Sequence, residues 1–381
     1  MWAEYGAEWA ITCYNNCMKI LYVITTTCVG GAEQAMAQLA QYMKEHQAEV
    51  RVLSLHTPGA VANQLIKKGF QVDTLDMQSI PTPGQVWKLR QIIKTFQPDI
   101  VHAMLYSAIE LCRLVRYTCK FTLVTTPHFD MSRQPYLLQA VDRTLKSLDK
   151  ISFAESLSTA QYLIGHQKYL KSKVYLLPNS IDRKRFARNF EKRQTVRTKW
   201  GVSLRETVFI CVARLSPEKN HITLLKAFKQ MLSKHPQARL VLVGDGPERE
   251  NIEVFIASND LTGKVILEGQ QQDVSAFLSG ADVFVLSSNV ESLPLSLLES
   301  MAAGLPALVT NVGDIPRFVE HGQSGFICKP GDNTLLCCVM TELAVNEPLR
   351  KKMGERALQI AEQKLIDNNK AYQKAYEKLV G

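Results

Sequence analysis

Short runs of β-branched and aliphatic residues alternate with longer stretches of helical periodicity along almost the whole chain. That alternation is the signature of a parallel sheet covered by helices. In the first half the runs fall at about 19–24, 49–55, 71–75, 99–103, 121–125, 150–154 and 173–177. In the second they fall at about 207–213, 239–243, 264–268, 282–286, 305–309 and 325–328. A run such as Arg239-Leu-Val-Leu-Val243 is apolar without alternation, as expected of a strand buried on both faces. The polar, basic stretch 180–200 breaks the rhythm and reads as a boundary, and the tail 347–381, rich in Lys, Glu, Gln and Ala, reads as helix. The expected fold is α/β, with two Rossmann-like domains facing each other across a cleft lined by the carboxyl ends of both sheets. The expected limits are 18–183 and 184–364, with a helix at 365–381 packing back towards the first domain.

The 381 residues suffice for two domains of ordinary size, and 46% hydrophobic with 21% charged residues is the composition of a globular protein. No apolar run approaches the ~18–20 residues that span a bilayer. Residues 1–17 carry Glu4 and Glu8 and no Lys or Arg, unlike a secretory signal, and Met18-Lys19-Ile20 looks like a natural start. An extension outside the fold is the expectation for 1–17. Nine scattered cysteines, an odd number without metal-ligand spacing, read as reduced thiols of a cytoplasmic protein.

The net charge of +9 is uneven: residues 1–190 hold 22 Lys and Arg against 14 Asp and Glu, which gives +8. Such a half suits an anionic membrane or a lipid-phosphate acceptor. In the helical segment 106–120, Arg113, Arg116 and Lys120 beside Leu111, Leu114 and Val115 would suit a membrane surface, or an ordinary helix packed on a sheet. The denser cluster Arg183–Lys199 reads as a solvated linker. Nucleic acid is an unsuitable partner, because the basic residues are not interleaved with an aromatic platform.

The most informative stretch is Glu291-Ser-Leu-Pro-Leu-Ser-Leu-Leu-Glu299-Ser-Met-Ala-Ala-Gly304. Pro294 belongs in the first turn of a helix and Gly304 at its end. Glu291 then precedes the helix and Glu299 lies on its second turn, with free amides and a partial positive charge between them. A diphosphate carrying a hydroxyl-bearing ring at each end fits this layout, and a nucleotide sugar has that shape. Upstream, Val212-Ala-Arg214-Leu-Ser-Pro217-Glu218-Lys219-Asn220 places a guanidinium and an ammonium in a loop after a strand, both suited to a diphosphate. Gly30-Gly31 after the first strand, Gly244-Asp245-Gly246-Pro247 and Glu268-Gly269-Gln270 are turns whose glycines would let a ligand approach the backbone.

Taken together, these motifs and Pro178-Asn179-Ser-Ile-Asp182 make the chain resemble family 4 of the retaining nucleotide-sugar glycosyltransferases, which have the GT-B fold. The resemblance covers residues 18 to about 375 and is strongest over 207–331. It implies an acceptor-binding first domain and a donor-binding second one. Arg214 and Lys219 would hold the diphosphate, Glu299 the ribose and Glu291 the sugar, with the backbone of Leu293, Pro294 and Leu295 capping the distal phosphate. Gly30 and Gly31 would close on the phosphates, and Gly244, Asp245, Gly246 and Gly269 would line the nucleotide. His128, in Thr125-Thr-Pro-His128-Phe-Asp130, matches a histidine that approaches the transferred sugar, and Asp130 is an acceptor-side candidate.

The resemblance further implies front-face transfer with retention, from a donor that is most simply a UDP-sugar, to a glycan or glycolipid hydroxyl at the inner face of the cytoplasmic membrane. No cofactor or metal is expected, since the sequence contains no Asp-x-Asp. One departure touches the sugar pocket: where the family commonly has Gly-Gly-x-Pro-Glu, this chain has Gly313-Asp314-Ile-Pro316-Arg317. A non-catalytic nucleotide-sugar-binding protein and a GT-B-like epimerase are the competing readings.

Overall fold

A computed structural model of the chain describes residues 17–128, 135–365 and 367–381. Most of the 1–17 extension, and Asp130, therefore lie outside the described residues. The chain forms two compact units, one running to Ser180 and resuming over Asp367–Gly381, the other spanning Ile181–Ile366.

Among the described residues the first unit holds a seven-stranded sheet in the order β3-β2-β1-β4-β5-β6-β7. Its strands are β1 (Lys19–Ile24), β2 (Glu49–Ser54), β3 (Gln71–Thr74), β4 (Ile100–Met104), β5 (Thr122–Thr126), β6 (Ile151–Ala154) and β7 (Val174–Leu176). The second holds a six-stranded sheet, β10-β9-β8-β11-β12-β13. Its strands are β8 (Val208–Val212), β9 (Arg239–Val243), β10 (Val265–Gly269), β11 (Val283–Leu286), β12 (Ala307–Thr310) and β13 (Gly325–Cys328). Every neighbouring pair is parallel. All thirteen strands lie within two residues of the apolar runs read from the sequence.

β1 shows why the runs are continuous. Successive side chains of a strand point to opposite faces. Ile20, Tyr22 and Ile24 pack with Met36, Leu39 and Met43 of helix Gly31–Glu45. Leu21 and Val23 pack on the other face with Leu89, Ile92 and Ile93 of helix Pro83–Phe96. Both faces need apolar residues, so the alternation that marks a half-exposed strand is missing.

The tail forms two helices, Glu347–Lys364 in the second unit and Asn369–Val380 in the first. Tyr372 and Tyr376 of the last helix are buried against the first sheet. The Tyr376 hydroxyl hydrogen-bonds His102 Nδ1 at 2.5 Å, and Thr126 Oγ1 meets His102 Nε2 at 2.7 Å. Burial holds the His102 imidazole well below its usual range, hence neutral.

Of the two readings of segment 106–120, the ordinary helix packed on a sheet holds, and the reading of Arg183–Lys199 needs correction. The segment 106–120 is helical over Tyr106–Arg116, but it does not offer Arg113 to a membrane: that side chain is fully buried. Its guanidinium meets Asp149 at 2.9 and 2.6 Å, Asp142 at 2.6 Å, Glu110 at 2.5 Å and the Tyr169 hydroxyl at 2.6 Å. Leu111 and Val115 are buried with it. Nor is Arg183–Lys199 a solvated linker. It forms helices Arg183–Phe186 and Phe190–Lys199, with Arg193 at 2.7 Å and Arg197 at 3.1 Å from Asp282. Arg197 is buried.

Arg113→Ala would strand three carboxylates around an empty space. Breaking a buried pair in this way costs roughly 3–5 kcal/mol. The expected result is early urea unfolding of the first unit, followed by tryptophan-independent far-UV dichroism, whereas the exposed Arg143→Ala should move the transition by no more than about 0.5 kcal/mol.

Candidate functional site

In the second sheet the chain leaves β8 towards β9 on one side, while β11 lies on the other. The carboxyl edge between them is the switch point where open α/β sheets bind ligands. Lys219 arrives there on the loop after β8 and Glu291 on the loop after β11. The Lys219 ammonium donates to both Glu291 oxygens, at 2.7 and 2.8 Å. Ser288 Oγ donates to Glu291 Oε1 at 2.7 Å. An ammonium has three donors. Two are engaged by Glu291 and the third is left for an incoming oxygen.

Backbone bonds sew the two loops together. Asn289 N–H donates to the Glu218 carbonyl at 2.8 Å, and Ser287 Oγ bonds the Lys219 and Asn220 carbonyls at 3.1 and 3.0 Å. Asn220 takes a left-handed conformation (φ 50°) and caps helix His221–Leu232 by accepting from Thr223 N–H. The loop after β12 supports the other side: Asp314 N–H donates to the Ser292 carbonyl at 2.7 Å. Gly313 has φ +54°, and a Cβ there would overlap the Glu291 and Ser292 carbonyls. The Asp314 departure thus lies directly beneath the Glu291 loop, beside a glycine that the family pattern shares.

Helix Leu295–Ala302 begins one residue later than the sequence suggested, with Pro294 at its N-cap. Pro294 has no N–H, so the amides left at this tip are those of Leu293, Leu295 and Ser296, which bond no carbonyl among the described residues. Glu299 lies on the second turn. It is half-buried, and its carboxylate accepts no hydrogen bond among the described residues, although its carbonyl accepts from Ala303 N–H at 3.0 Å. Desolvation pushes its carboxyl up to about 7, with Asp273 adding to the effect and Arg185 opposing it. Arg185 and Asp273 pair at 3.3 Å.

Arg214 is exposed and forms no ion pair among the described residues. Its turn rests on the Gly244–Gly246 loop: Leu215 N–H donates to the Asp245 carbonyl at 3.0 Å, and Glu248 N–H to the Leu215 carbonyl at 2.9 Å. A Cβ on Gly244 would overlap the Ala213 carbonyl, and one on Gly246 the Leu215 carbonyl. The close approach these glycines permit is of one loop to another, which accounts for both without a ligand. Asp245 accepts from Gly246 N–H at 2.8 Å and from Arg249 at 3.2 Å. Gly269 ends β10 at φ +67°, where a Cβ would meet only the Arg249 guanidinium at an ordinary 3.8 Å, and neighbouring Glu268 accepts from Trp200 Nε1 at 2.6 Å.

In the first unit, Gly30 is the extended N-cap of helix Gly31–Glu45, and its side-chain direction faces the Glu33 carboxylate. His128 follows β5 in a left-handed conformation (φ 56°). It lines a small cavity with Gln38, Met104, Asn179, Asn369 and Tyr372. Its surface is half-exposed, yet the surrounding protein lowers its imidazole to about 4, so the ring is neutral at pH 7. Among the described residues no three His, Cys, Asp or Glu side chains converge so as to hold a metal ion.

Residues 192–360 match the family model described as glycosyl transferases group 1, and residues 29–185 match that of Glycosyltransferase Family 4. The chain carries two glycosyltransferase domains. It is 34% identical over 162 residues to N-acetyl-alpha-D-glucosaminyl L-malate synthase of Bacillus anthracis, 42% of either chain. It is 30% identical over 163 residues to the UDP-Gal:alpha-D-GlcNAc-diphosphoundecaprenol alpha-1,3-galactosyltransferase of Escherichia coli, again 42% of either chain. The chain thus spans less than half the length of these two relatives. The solved structure of Anabaena HepE in complex with UDP and glucose superposes with a TM-score of 0.84 at 22% identity, covering 95% of this chain and 99% of that one. At that identity the likeness shows the fold, which is GT-B.

Sequence reading of the glycosyltransferase domains missed Ser288, which orients Glu291, and the supporting role of Gly313. Ser288 carried a usable signal, a hydroxyl at a buried strand's carboxyl end three residues before the glutamate. Gly313→Ala should be more harmful than Gly322→Ala, another left-handed glycine (φ +77°) with open space around it. Gly322→Ala bears only the left-handed term, about 1–2 kcal/mol. Gly313→Ala adds an overlap worth roughly 1–3 kcal/mol. Paired urea titrations of the second unit measure the difference.

Proposed function

We propose that the chain is a retaining glycosyltransferase that moves one sugar from a nucleotide-diphosphate sugar to a hydroxyl of a lipid-linked or surface-polysaccharide acceptor, at the inner face of the cytoplasmic membrane. The observation that carries this reading is the grouping of Lys219, Glu291 and the amide-lined tip of helix Leu295–Ala302, with Glu299 on the next turn. A pyrophosphate fits the cations and amides, and each carboxylate fits the hydroxyls of one ring. UDP is the preferred nucleotide, since one relative is named for UDP-Gal and one structural neighbour holds UDP.

In this reading the bond from the anomeric carbon to the phosphate oxygen breaks, and the acceptor oxygen bonds the same face of that carbon. The acceptor's proton passes to the departing phosphate oxygen. Arg214, Lys219 and the helix tip stabilise the charge that collects on the diphosphate, in place of a metal. Glu291 orients the sugar through its hydroxyls, and much of the rate comes from positioning. His128, neutral at pH 7, serves as a hydrogen-bonding partner of the transferred sugar, and Asp130 remains an acceptor-side candidate.

A thermal-shift screen against UDP-, GDP- and ADP-sugars tests the donor. Stabilisation by a UDP-sugar that survives EDTA is expected, and stabilisation abolished by EDTA would refute the metal-independent mechanism. Glu291→Ala should reduce turnover by at least tenfold with little change in nucleotide affinity, and Glu299→Ala should weaken nucleotide binding.

The protonation of Glu299 adds a pH dependence. Ribose hydroxyls donate to the carboxylate, whereas the free carboxyl titrates near 7. Below that pH, binding must release a proton, so affinity for a UDP-sugar, whose diphosphate has no group titrating in this range, should fall by about tenfold per pH unit as pH drops, and level off above it. Calorimetry in two buffers of different ionisation enthalpy reads the proton released. Glu299→Gln should bind more weakly and lose the dependence between pH 6 and 8; a retained slope would place the titration elsewhere.

A further inference from the structure

Helix Tyr136–Leu145 of the first unit is inside out. Its inward side carries polar contacts: Asp142 meets Arg113 at 2.6 Å, Gln139 Oε1 accepts from Tyr162 at 3.0 Å, and the Leu138 carbonyl accepts from Tyr106 at 3.2 Å. Its outward side carries Tyr136, Leu137 and Val141, with 80%, 73% and 36% of their surfaces exposed. At 100° per residue these three fall on one face, which also contains Ala140. A helix serving only the core would face the other way.

A second exposed apolar residue is held beside it by the same arginine. Tyr169 donates to Asp149 at 2.8 Å and meets Arg113 at 2.6 Å, which fixes the loop that presents Leu170, 67% exposed, between Lys168 and Lys171. Gln167 of this loop donates to the Tyr162 hydroxyl at 3.1 Å, and Tyr162 in turn bonds Gln139 of the helix. The loop and the helix are therefore tied to each other.

The charge on this surface has one sign. Residues 135–173 contain six Lys and Arg and three acids. The acids, Asp142, Asp149 and Glu155, are all buried. Arg143, Lys150, Lys168 and Lys171 are exposed, and Lys146 and Lys173 are half-exposed. Apolar side chains that can enter the headgroup layer, ringed by cations with no exposed acid among them, complement an anionic bilayer. A protein partner of ordinary composition would not need so one-sided a rim.

We infer that the outward face of helix Tyr136–Leu145, with the Leu170 loop, is the surface by which the first unit docks on a membrane of anionic lipids. It goes beyond the transferase reading and shares only that reading's membrane placement. The buried Arg113 cluster is its anchor: it draws in Asp142 and Asp149, while Glu155 is buried against Thr159, and the cations and apolar groups are left outside.

Flotation of the full chain with vesicles tests it. The protein should float with phosphatidylglycerol-containing vesicles at low salt and not with pure phosphatidylcholine. Leu137→Glu with Val141→Glu, and separately Arg143→Glu with Lys150→Glu, should each cut the bound fraction at least tenfold. Far-UV dichroism and melting temperature in the same samples confirm that both variants are folded. Equal flotation by either variant and the unaltered protein, or no flotation by the latter, overturns the proposal. So does a dimer of the unaltered protein that Leu137→Glu and Val141→Glu dissociate without any vesicle binding, since the face would then serve a second copy. Stabilisation by UDP, read on the unaltered protein, reports on the transferase reading separately: no flotation with UDP stabilisation present sinks only the docking surface, and flotation without UDP stabilisation sinks only the donor site.

Discussion

The loops at the carboxyl edge of the second sheet bear on one another backbone to backbone, and everything proposed for the site depends on that contact. At positions 244, 246 and 313 a side chain would occupy space already filled by a carbonyl of the neighbouring loop. Four loops are thereby locked in two pairs, the one after β9 on the one after β8 and the one after β12 on the one after β11, at a spacing that side-chain packing could not reach. Lys219 and Glu291 meet because of it, and the tip of helix Leu295–Ala302 points where it does because the chain entering it is pinned by Asp314 N–H on the Ser292 carbonyl. The cost is rigidity, which suits a site whose work is to hold a substrate in one pose.

Charge is handled in opposite ways in the two units. In the second, Lys219 and Glu291 keep part of their hydrogen-bonding capacity and remain at the sheet edge. In the first, Arg113 uses its buried guanidinium on Asp149, Asp142, Glu110 and Tyr169. Burial pushes the Glu110 carboxyl up to about 7, the result expected when several carboxylates crowd one cation in a desolvated place. That cluster works as a joint between three segments, and a group so fully engaged has no free donor for a substrate.

Strands were legible because a parallel sheet buried on both faces demands unbroken apolar runs, and those survive in the sequence with clear ends. The Glu291–Glu299 helix was legible for a similar local reason: proline, periodicity and glycine lie within fourteen residues. What depended on strand order was not. Lys219 and Glu291 are 72 residues apart, and only the β8–β11 adjacency brings them together. The basic clusters misled for the same reason. Arg113 looked like surface because its main partner, Asp149, is 36 residues on, and Arg197 because Asp282 is 85 residues on. The glycines at 244 and 246 were noticed correctly as places of close approach, but sequence does not say what approaches.

The last helix has a consequence for how the protein is made. Tyr372 and Tyr376 close one wall of the first unit's interior, over Tyr22, His102 and Phe153. A ribosome delivers those two tyrosines only after the whole of the intervening unit. The nascent chain therefore emerges with its earliest sheet unsealed, and the unit begun second is the one able to finish first. Until both tyrosines leave the exit tunnel, an apolar aromatic surface stays uncovered, which makes the newborn polypeptide a natural client for a chaperone.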